Sequence, residues 1–347
     1  MRRRFSKRRP GAGFAFVLAL AFAALLPPPP ARAEAIRIGV LKLASSGPIF
    51  IAAEKGYFKD EGLDAKLVYF QAAQPVAVAV VSGDVDFGVT AFTAGFFNLA
   101  GKGGLTVIGA QSREEPGYHL IAYVAANKAY DAGFRSLDQF PGKKIAITQT
   151  GSSFHYSLGL LAEKLRFSLA SVQLAALQSM SNMASALEGN QVDGALLPAS
   201  VAIPLVQKGK VHLLGWVGNE TPWQVGALFT SPREIAAHRA VVEKFVRAYQ
   251  KGAREFYDQL LAKDASGKVV GGPRRAATLA LIAKYVNETP AQVALGIPYI
   301  DPQGRLLVGD VYHQVAWYQA QGLLDKSVSA KSFLDLSFIK GQQDAAQ

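Results

Sequence analysis

The chain has 347 residues, no cysteine and a formal net charge of +11. Without cysteine there is no disulfide framework, thiolate metal site, thiol nucleophile or lipid-modified cysteine. Seven of the 37 Lys and Arg residues fall in positions 1–33, which hold no Asp or Glu. The remainder carries 30 basic side chains (37 − 7) against 26 acidic ones, about +4. That balance removes the charge argument for a nucleic-acid or membrane-surface partner, and no nucleic acid is expected.

Residues 1–33 read as an export signal. Arg2, Arg3, Arg4, Lys7, Arg8 and Arg9 form a basic start, residues 14–26 are an unbroken apolar run, and Ala31-Arg32-Ala33 offers small residues at a cleavage site. As a helix the run spans about 20 Å, short of the ~30 Å hydrocarbon core, so it is a signal rather than an anchor. Arg2-Arg3-Arg4-Phe5-Ser6-Lys7 also resembles the twin-arginine export pattern. Both export routes stay open. Export without a lipid anchor points to the periplasm.

The alternating apolar run 36–40 predicts a strand, and a helix follows from Pro48, stopped near Gly56. Further strands are expected over 64–70, 85–89 and 105–110, with helices over 74–81 and 92–100. This rhythm predicts a mainly parallel sheet flanked by helices. Residues 118–125, after Pro116-Gly117, read as a crossing into a second domain. There 144–147, 173–177, 192–196 and 211–215 are strands, and 153–165, 180–187 and 199–207 helices. Residues 224–230 return, and helices follow over 234–261, 274–286 and 310–321, with a frayed tail at 342–347. The expected division is a signal at 1–33, a discontinuous first lobe of 34–118 and 227–347, and a second lobe of 119–226.

The two halves repeat. A shift of 107 residues carries the first strand onto 143–147, Ser45-Ser46 onto Ser152-Ser153, Gln71 onto Gln178 and Asp86 onto Asp193. Each copy thus presents a strand-to-helix turn with paired hydroxyls.

Three segments carry a family resemblance. Ala52-Ala53-Glu54-Lys55-Gly56-Tyr57-Phe58-Lys59-Asp60-Glu61-Gly62-Leu63-Asp64 is similar to an early segment of transport solute-binding proteins of the sulfonate, taurine and nitrate type, whose superfamily also binds thiamine-precursor pyrimidines. Ser82-Gly83-Asp84-Val85-Asp86-Phe87-Gly88 and Phe140-Pro141-Gly142-Lys143-Lys144-Ile145 resemble two further hallmarks. The match runs from about residue 36 to 214, and the helical C-terminal third is only loosely similar. The resemblance implies a two-lobed type II periplasmic-binding-protein fold closing on a solute. It also implies delivery to a membrane permease and ATPase, with no cofactor and a monomeric state.

In open α/β sheets ligands bind beyond the carboxyl ends of strands, where helix N-terminal amides are exposed. This selects Ser45, Ser46 and Gly47 in the first copy and Ser152, Ser153 and Phe154 in the second. Thr90, Phe92 and Thr93 follow the third strand, and Pro198 stands at the equivalent turn of the second copy, where the wall becomes more apolar. Trp216 flanks the return crossing. The plainer readings are that the serines only cap helices, that Phe154 packs into the core and that Trp216 plugs a hinge. Asp86 and Asp193 begin strands at the far edge and suit turn and cap duty. No arginine occupies these turns, which favours a small organic solute: a sulfonate, a carboxylate or an aromatic compound.

An enzyme on the same fold, of menaquinone- or pyrimidine-pathway type, is the alternative, as is a ligand-sensing module for a membrane receptor. Against an enzyme, His119, His155, His212, His238 and His313 show no metal-ligand spacing, and no nucleophile-elbow, phosphate-loop or dinucleotide motif is present.

Overall fold

Among the described residues, twelve strands build two five-stranded sheets and a short ribbon. In chain order they are β1 (Glu34–Leu41), β2 (Leu63–Phe70), β3 (Phe87–Ala91), β4 (Thr106–Ala110), β5 (Arg113–Glu114), β6 (Ile121–Ala126), β7 (Lys144–Ile147), β8 (Gln173–Ala176), β9 (Gly194–Pro198), β10 (Val211–Trp216), β11 (Trp223–Gln224) and β12 (Gly226–Thr230). They belong to a computed structural model that describes residues 1, 2, 5 and 33–342. The export-signal reading and the tail beyond Gln342 lie outside the described residues. Glu34–Gln347 forms one unit and Met1–Ala33 another.

The first sheet runs β2-β1-β3-β12-β4 and the second, read from its other edge, β8-β7-β9-β6-β10. The two orders are the same under the repeat. The pairs β1/β2, β1/β3, β7/β8 and β7/β9 are parallel. The sheets are nevertheless mixed rather than simply parallel, because each admits one antiparallel strand. β12 runs antiparallel to β3 and β4, and β6 to β9 and β10. These are the two crossing segments: each, having left one sheet, is inserted into the interior of the other. Every residue of β6 and of β12 is buried, as a strand covered on both faces requires. Where the crossings pass, β5 and β11 pair with each other as a two-residue ribbon.

Asp86 and Asp193 do the same work in each copy. The Asp86 carboxylate accepts the Arg37 backbone N–H at 2.6 Å, and Asp193 accepts that of Lys144 at 2.7 Å. Both lie at the amino ends of the strands, away from the turns selected above. The helix after β1 spans Gly47–Glu54, preceded by an unforeseen 3₁₀ turn at Ala44–Ser46, and Gly56 takes the left-handed stop at φ +77°. Helices Ser153–Leu165 and Ala199–Gln207 occupy their expected spans.

The C-terminal helices close the back of the molecule. Pro232–Phe256 packs on Gly47–Glu54, and the Phe256 ring leaves no room for a side chain at Gly47. Val308–Ala320 reaches the second copy instead: Trp317 covers Gly159, Tyr156 Oη meets His313 Nδ1 at 2.8 Å, and Tyr318 Oη donates to the Ser152 carbonyl at 3.2 Å. The same helix holds the ribbon, since Asp310 accepts the Gln224 N–H at 2.8 Å and Gln314 Nε2 donates to the Gln224 carbonyl at 2.7 Å.

Candidate functional site

A cleft opens beyond the carboxyl ends of the strands of both sheets. From the first sheet it receives Leu41 at the end of β1, Leu43 and Ser45 after it, Ala72, Ala73 and Gln74 after β2, Thr90, Ala91 and Thr93 at β3, and Gln111 and Ser112 after β4. The second supplies Thr148, Gln149, Ser152, Ser153 and Phe154 after β7, Met180 after β8 and Pro198 at β9. Leu120, Ile121 and Val225 come from the crossings.

Seven of the residues selected from the sequence therefore line this space: Ser45, Thr90, Thr93, Ser152, Ser153, Phe154 and Pro198. Four do not. Ser46 is the last residue of the 3₁₀ turn, and its hydroxyl is buried with no hydrogen-bond partner among the described residues. Gly47 faces Phe256. Phe92 turns inward to an aromatic cluster, 5.1 Å from the rings of both Phe96 and Phe97. Trp216 stacks on His119 at 4.2 Å and lines a separate apolar groove with Ile203, Leu213 and Leu295. Distant segments set Gly47 and Trp216, while Phe92 is drawn in by the helix that follows it and Ser46 by its own 3₁₀ turn.

The hydroxyls divide into two kinds. Thr93 Oγ1 accepts the Phe96 N–H at 2.9 Å and donates to Gln74 Oε1 at 2.5 Å, while Ser152 Oγ accepts the His155 N–H at 3.3 Å. These two are helix caps as well as wall residues. Ser45, Thr90 and Ser153 are buried, with 5%, 3% and 7% of their surface exposed, and their hydroxyls bond to none of the described residues. Unlike the sealed hydroxyl of Ser46, these three open on the cleft and are free to bond to what occupies it.

The two copies touch at the cleft edge. The Ala94 N–H, just after the Thr93 cap, donates to the Gly151 carbonyl at 2.8 Å. Gly151 takes φ +78°, and a Cβ there would sit 2.7 Å from that of Ala94. Its own N–H donates to His155 Nδ1 at 3.0 Å, and burial lowers the His155 pKa, so this ring is a neutral acceptor bracing the turn. At the ribbon, Glu114 is wholly buried with neither carboxyl oxygen in a hydrogen bond of ordinary geometry. Burial drives its pKa well up, opposed only by the backbone N–H groups of Ile121 and Gly218.

The sequence reading missed Gln74, Gln111, Ser112, Thr148, Gln149 and Met180. Gln74 and Met180 follow β2 and β8, the second strand of each copy, whose turns end at the same cleft. Gln111 and Ser112 directly follow the apolar run of β4. Among the described residues no group of His, Asp and Glu is arranged to hold a metal ion, and no helix is long and apolar enough to cross a membrane.

A family model described as NMT1/THI5 like matches residues 44–259. A Brucella abortus (strain 2308) protein whose name describes a binding protein is 29% identical over 167 residues, covering 48% of this chain and 47% of that one. The chain thus spans about half the length of this relative. Among solved structures, the alkanesulfonate-binding protein SsuA of Xanthomonas axonopodis pv. citri, bound to MOPS, superposes with a TM-score of 0.71 at 20% identity, over 88% of this chain and 99% of that one. The ligand-binding component of an ABC-type import system from Staphylococcus aureus gives 0.70 at 15%, over 90% and 100%. The desulfurization enzyme DSZB gives 0.60 at 10%, over 88% and 97%. At these identities the likeness is one of fold.

Proposed function

Because the chain belongs to the NMT1/THI5-like family, we propose that it is the substrate-binding component of an ABC uptake transporter. It captures a small organic solute in the periplasm and hands it to a membrane permease and its ATPase. The observation that carries this reading is the cleft itself. The hydroxyls of Ser45 and Thr90 on one side and Ser153 on the other, which bond to none of the described residues, face this space. A solute that bonds to both sides stabilises whichever arrangement brings them together, by its differential affinity for that state. The 34–118/227–347 and 119–226 segments act as the two lobes in this account.

The desulfurization enzyme shares the fold, but acid–base catalysis has no carrier here. None of the cleft-lining side chains titrates near neutrality, and His155 Nδ1 is held by the Gly151 N–H. A thermal-shift screen of sulfonates, carboxylates, aromatic acids and neutral aromatics tests the proposal, since a bound solute raises the melting temperature by mass action. The Ser45→Ala/Ser153→Ala double variant should keep the fold and lose at least tenfold in affinity for the solute so found. Undiminished affinity would return both serines to a structural role.

A further inference from the structure

The contact between the two copies is held by a side chain that can take up a proton. Ala94 opens the helix Ala94–Gly101, so its N–H has no acceptor within that helix. What it meets instead is the Gly151 carbonyl of the other copy, at 2.8 Å. Gly151 in turn stands just before the cap of helix Ser153–Leu165. Ser152 Oγ accepts the His155 N–H at 3.3 Å, and His155 Nδ1 reaches back to accept the Gly151 N–H at 3.0 Å.

This resembles a capping box displaced by one residue, with histidine at the third helical position where Glu or Gln is usual. The exchange alters the chemistry. A glutamine amide accepts at any pH, whereas an imidazole nitrogen accepts only while the ring is neutral, since both nitrogens donate once it is protonated. Nδ1–H would then point at the Gly151 N–H, and the new charge would sit at the positive end of the helix dipole. The ring is penned in, 6% exposed and edge-on to Trp317 with 5.4 Å between ring centres.

No charge nearby offsets the proton. The turn 148–152 and the helix Ala94–Gly101 carry no ionisable side chain. On Val308–Ala320, Asp310 is bound by Gln224 and Gln314, His313 by Tyr156, and Tyr318 donates to the Ser152 carbonyl. Glu163 and Lys164 of the same helix as His155 lie about two turns further on. Leu323 passes beside Gly151, and the Asp325 and Lys326 that follow it are exposed. Burial is what lowers the His155 pKa from its ordinary 6.5.

We infer that His155 is an acid-sensitive catch on the cleft: neutral, it holds the Gly151 turn against Ala94, and protonated it lets that turn go. A ring whose pKa is lowered by the contact takes its proton more readily once released. The contact is therefore complete above ~6.5 and weakens as pH falls, by up to about tenfold for each pH unit. The catch does not depend on the solute-capture reading. A failed solute screen would leave it standing, and its own failure would leave solute capture standing.

The test is hydrogen exchange followed by NMR on the solute-free protein at pH 7.5 and pH 5.0, with each rate corrected for its intrinsic pH dependence. Protection of the Ala94 amide reports the contact alone, and the Phe97 amide, bonded within the same helix to the Thr93 carbonyl, is the internal reference. In the parent, Ala94 protection relative to Phe97 should fall by about fivefold or more at pH 5.0. His155→Gln keeps an acceptor that takes no proton and should hold the ratio constant. His155→Phe offers no acceptor and should show the low ratio at both pH values, with circular dichroism checking that both variants are folded. A parent ratio unchanged between the two pH values, or falling equally in His155→Gln, would overturn the inference. The parent measurement decides even if a variant fails to fold.

Discussion

The contact between the two copies can be measured without any ligand. Gly151→Ala meets two separate costs. Its φ of +78° puts an L-residue in the left-handed region, at about 1 kcal/mol. The new Cβ would also stand 2.7 Å from Ala94 Cβ. Either the turns separate and the 2.8 Å Ala94–Gly151 hydrogen bond is lost, at about 1 kcal/mol, or they stay and overpack, at about 1–3 kcal/mol. Gly142→Ala is the control, with φ +77° and nothing within 4 Å of its Cβ, so it carries the first cost alone. Urea denaturation of the two variants should therefore give losses of about 1 kcal/mol for Gly142→Ala and about 2–3 kcal/mol for Gly151→Ala. Equal losses, within ~0.5 kcal/mol, would mean that the turns do not meet in solution, and the cleft geometry would fall with them.

The duplicated carboxylates should matter for stability alone. Asp193→Ala should cost about 1–2 kcal/mol, and Asp86→Ala somewhat more because Asp86 also binds the Arg37 guanidinium at 2.8 Å, an exposed contact of small worth. Both should leave solute affinity by calorimetry unchanged. Glu114→Gln tests the buried carboxyl. A carboxyl whose pKa is raised by folding holds its proton in the native state, so its contribution is full below the unfolded value near ~4.3 and is lost as pH rises. The glutamine variant should match the parent's melting temperature at pH 4 and exceed it at pH 8. A parent curve no steeper than the variant's would place a neutralising partner at Glu114. Gly159→Ala should displace Trp317 and cost about 1–3 kcal/mol despite alanine's helix preference of ~1 kcal/mol, with a change in the near-ultraviolet tryptophan signal.

Much of the framework was legible because it is local or strictly repeated. The 107-residue offset located both strand-to-helix turns, and the equal 49-residue reach from Arg37 to Asp86 and from Lys144 to Asp193 shows that the register was right. Cap chemistry gave helix Ser153–Leu165 its start, since Ser152 both precedes it and accepts its third amide. What stayed hidden depends on segments far along the chain. Ser45 and Ser46 are adjacent and chemically identical. Only the first faces the cleft, because the 3₁₀ turn points the second into the protein and Phe256 packs against the next residue. The antiparallel entry of β6 and β12 was equally hidden: their continuous apolar runs fit a buried strand of either direction. Gln111 carries no motif at all, and its place at the cleft follows from the end of β4.

The swapped strands also constrain how the two sheets can turn against each other. Each sheet is completed by chain that has come from the other, and both inserted strands are wholly buried, so the lining residues beside them, Ile121 at the start of β6 and Val225 just before β12, are fixed to rigid frames. Any relative turning of the sheets must then be absorbed by the connections outside those strands, chiefly the β5/β11 ribbon of two residues a side. That ribbon is not free. Gln224 is held through its N–H by Asp310, through its carbonyl by Gln314 and through Oε1 by the Leu307 N–H, while Tyr318 of the same helix reaches the Ser152 carbonyl. All of these partners lie beyond residue 259, where the family match ends. The helix Val308–Ala320 thus ties the β5/β11 ribbon to the cap of the second-copy turn.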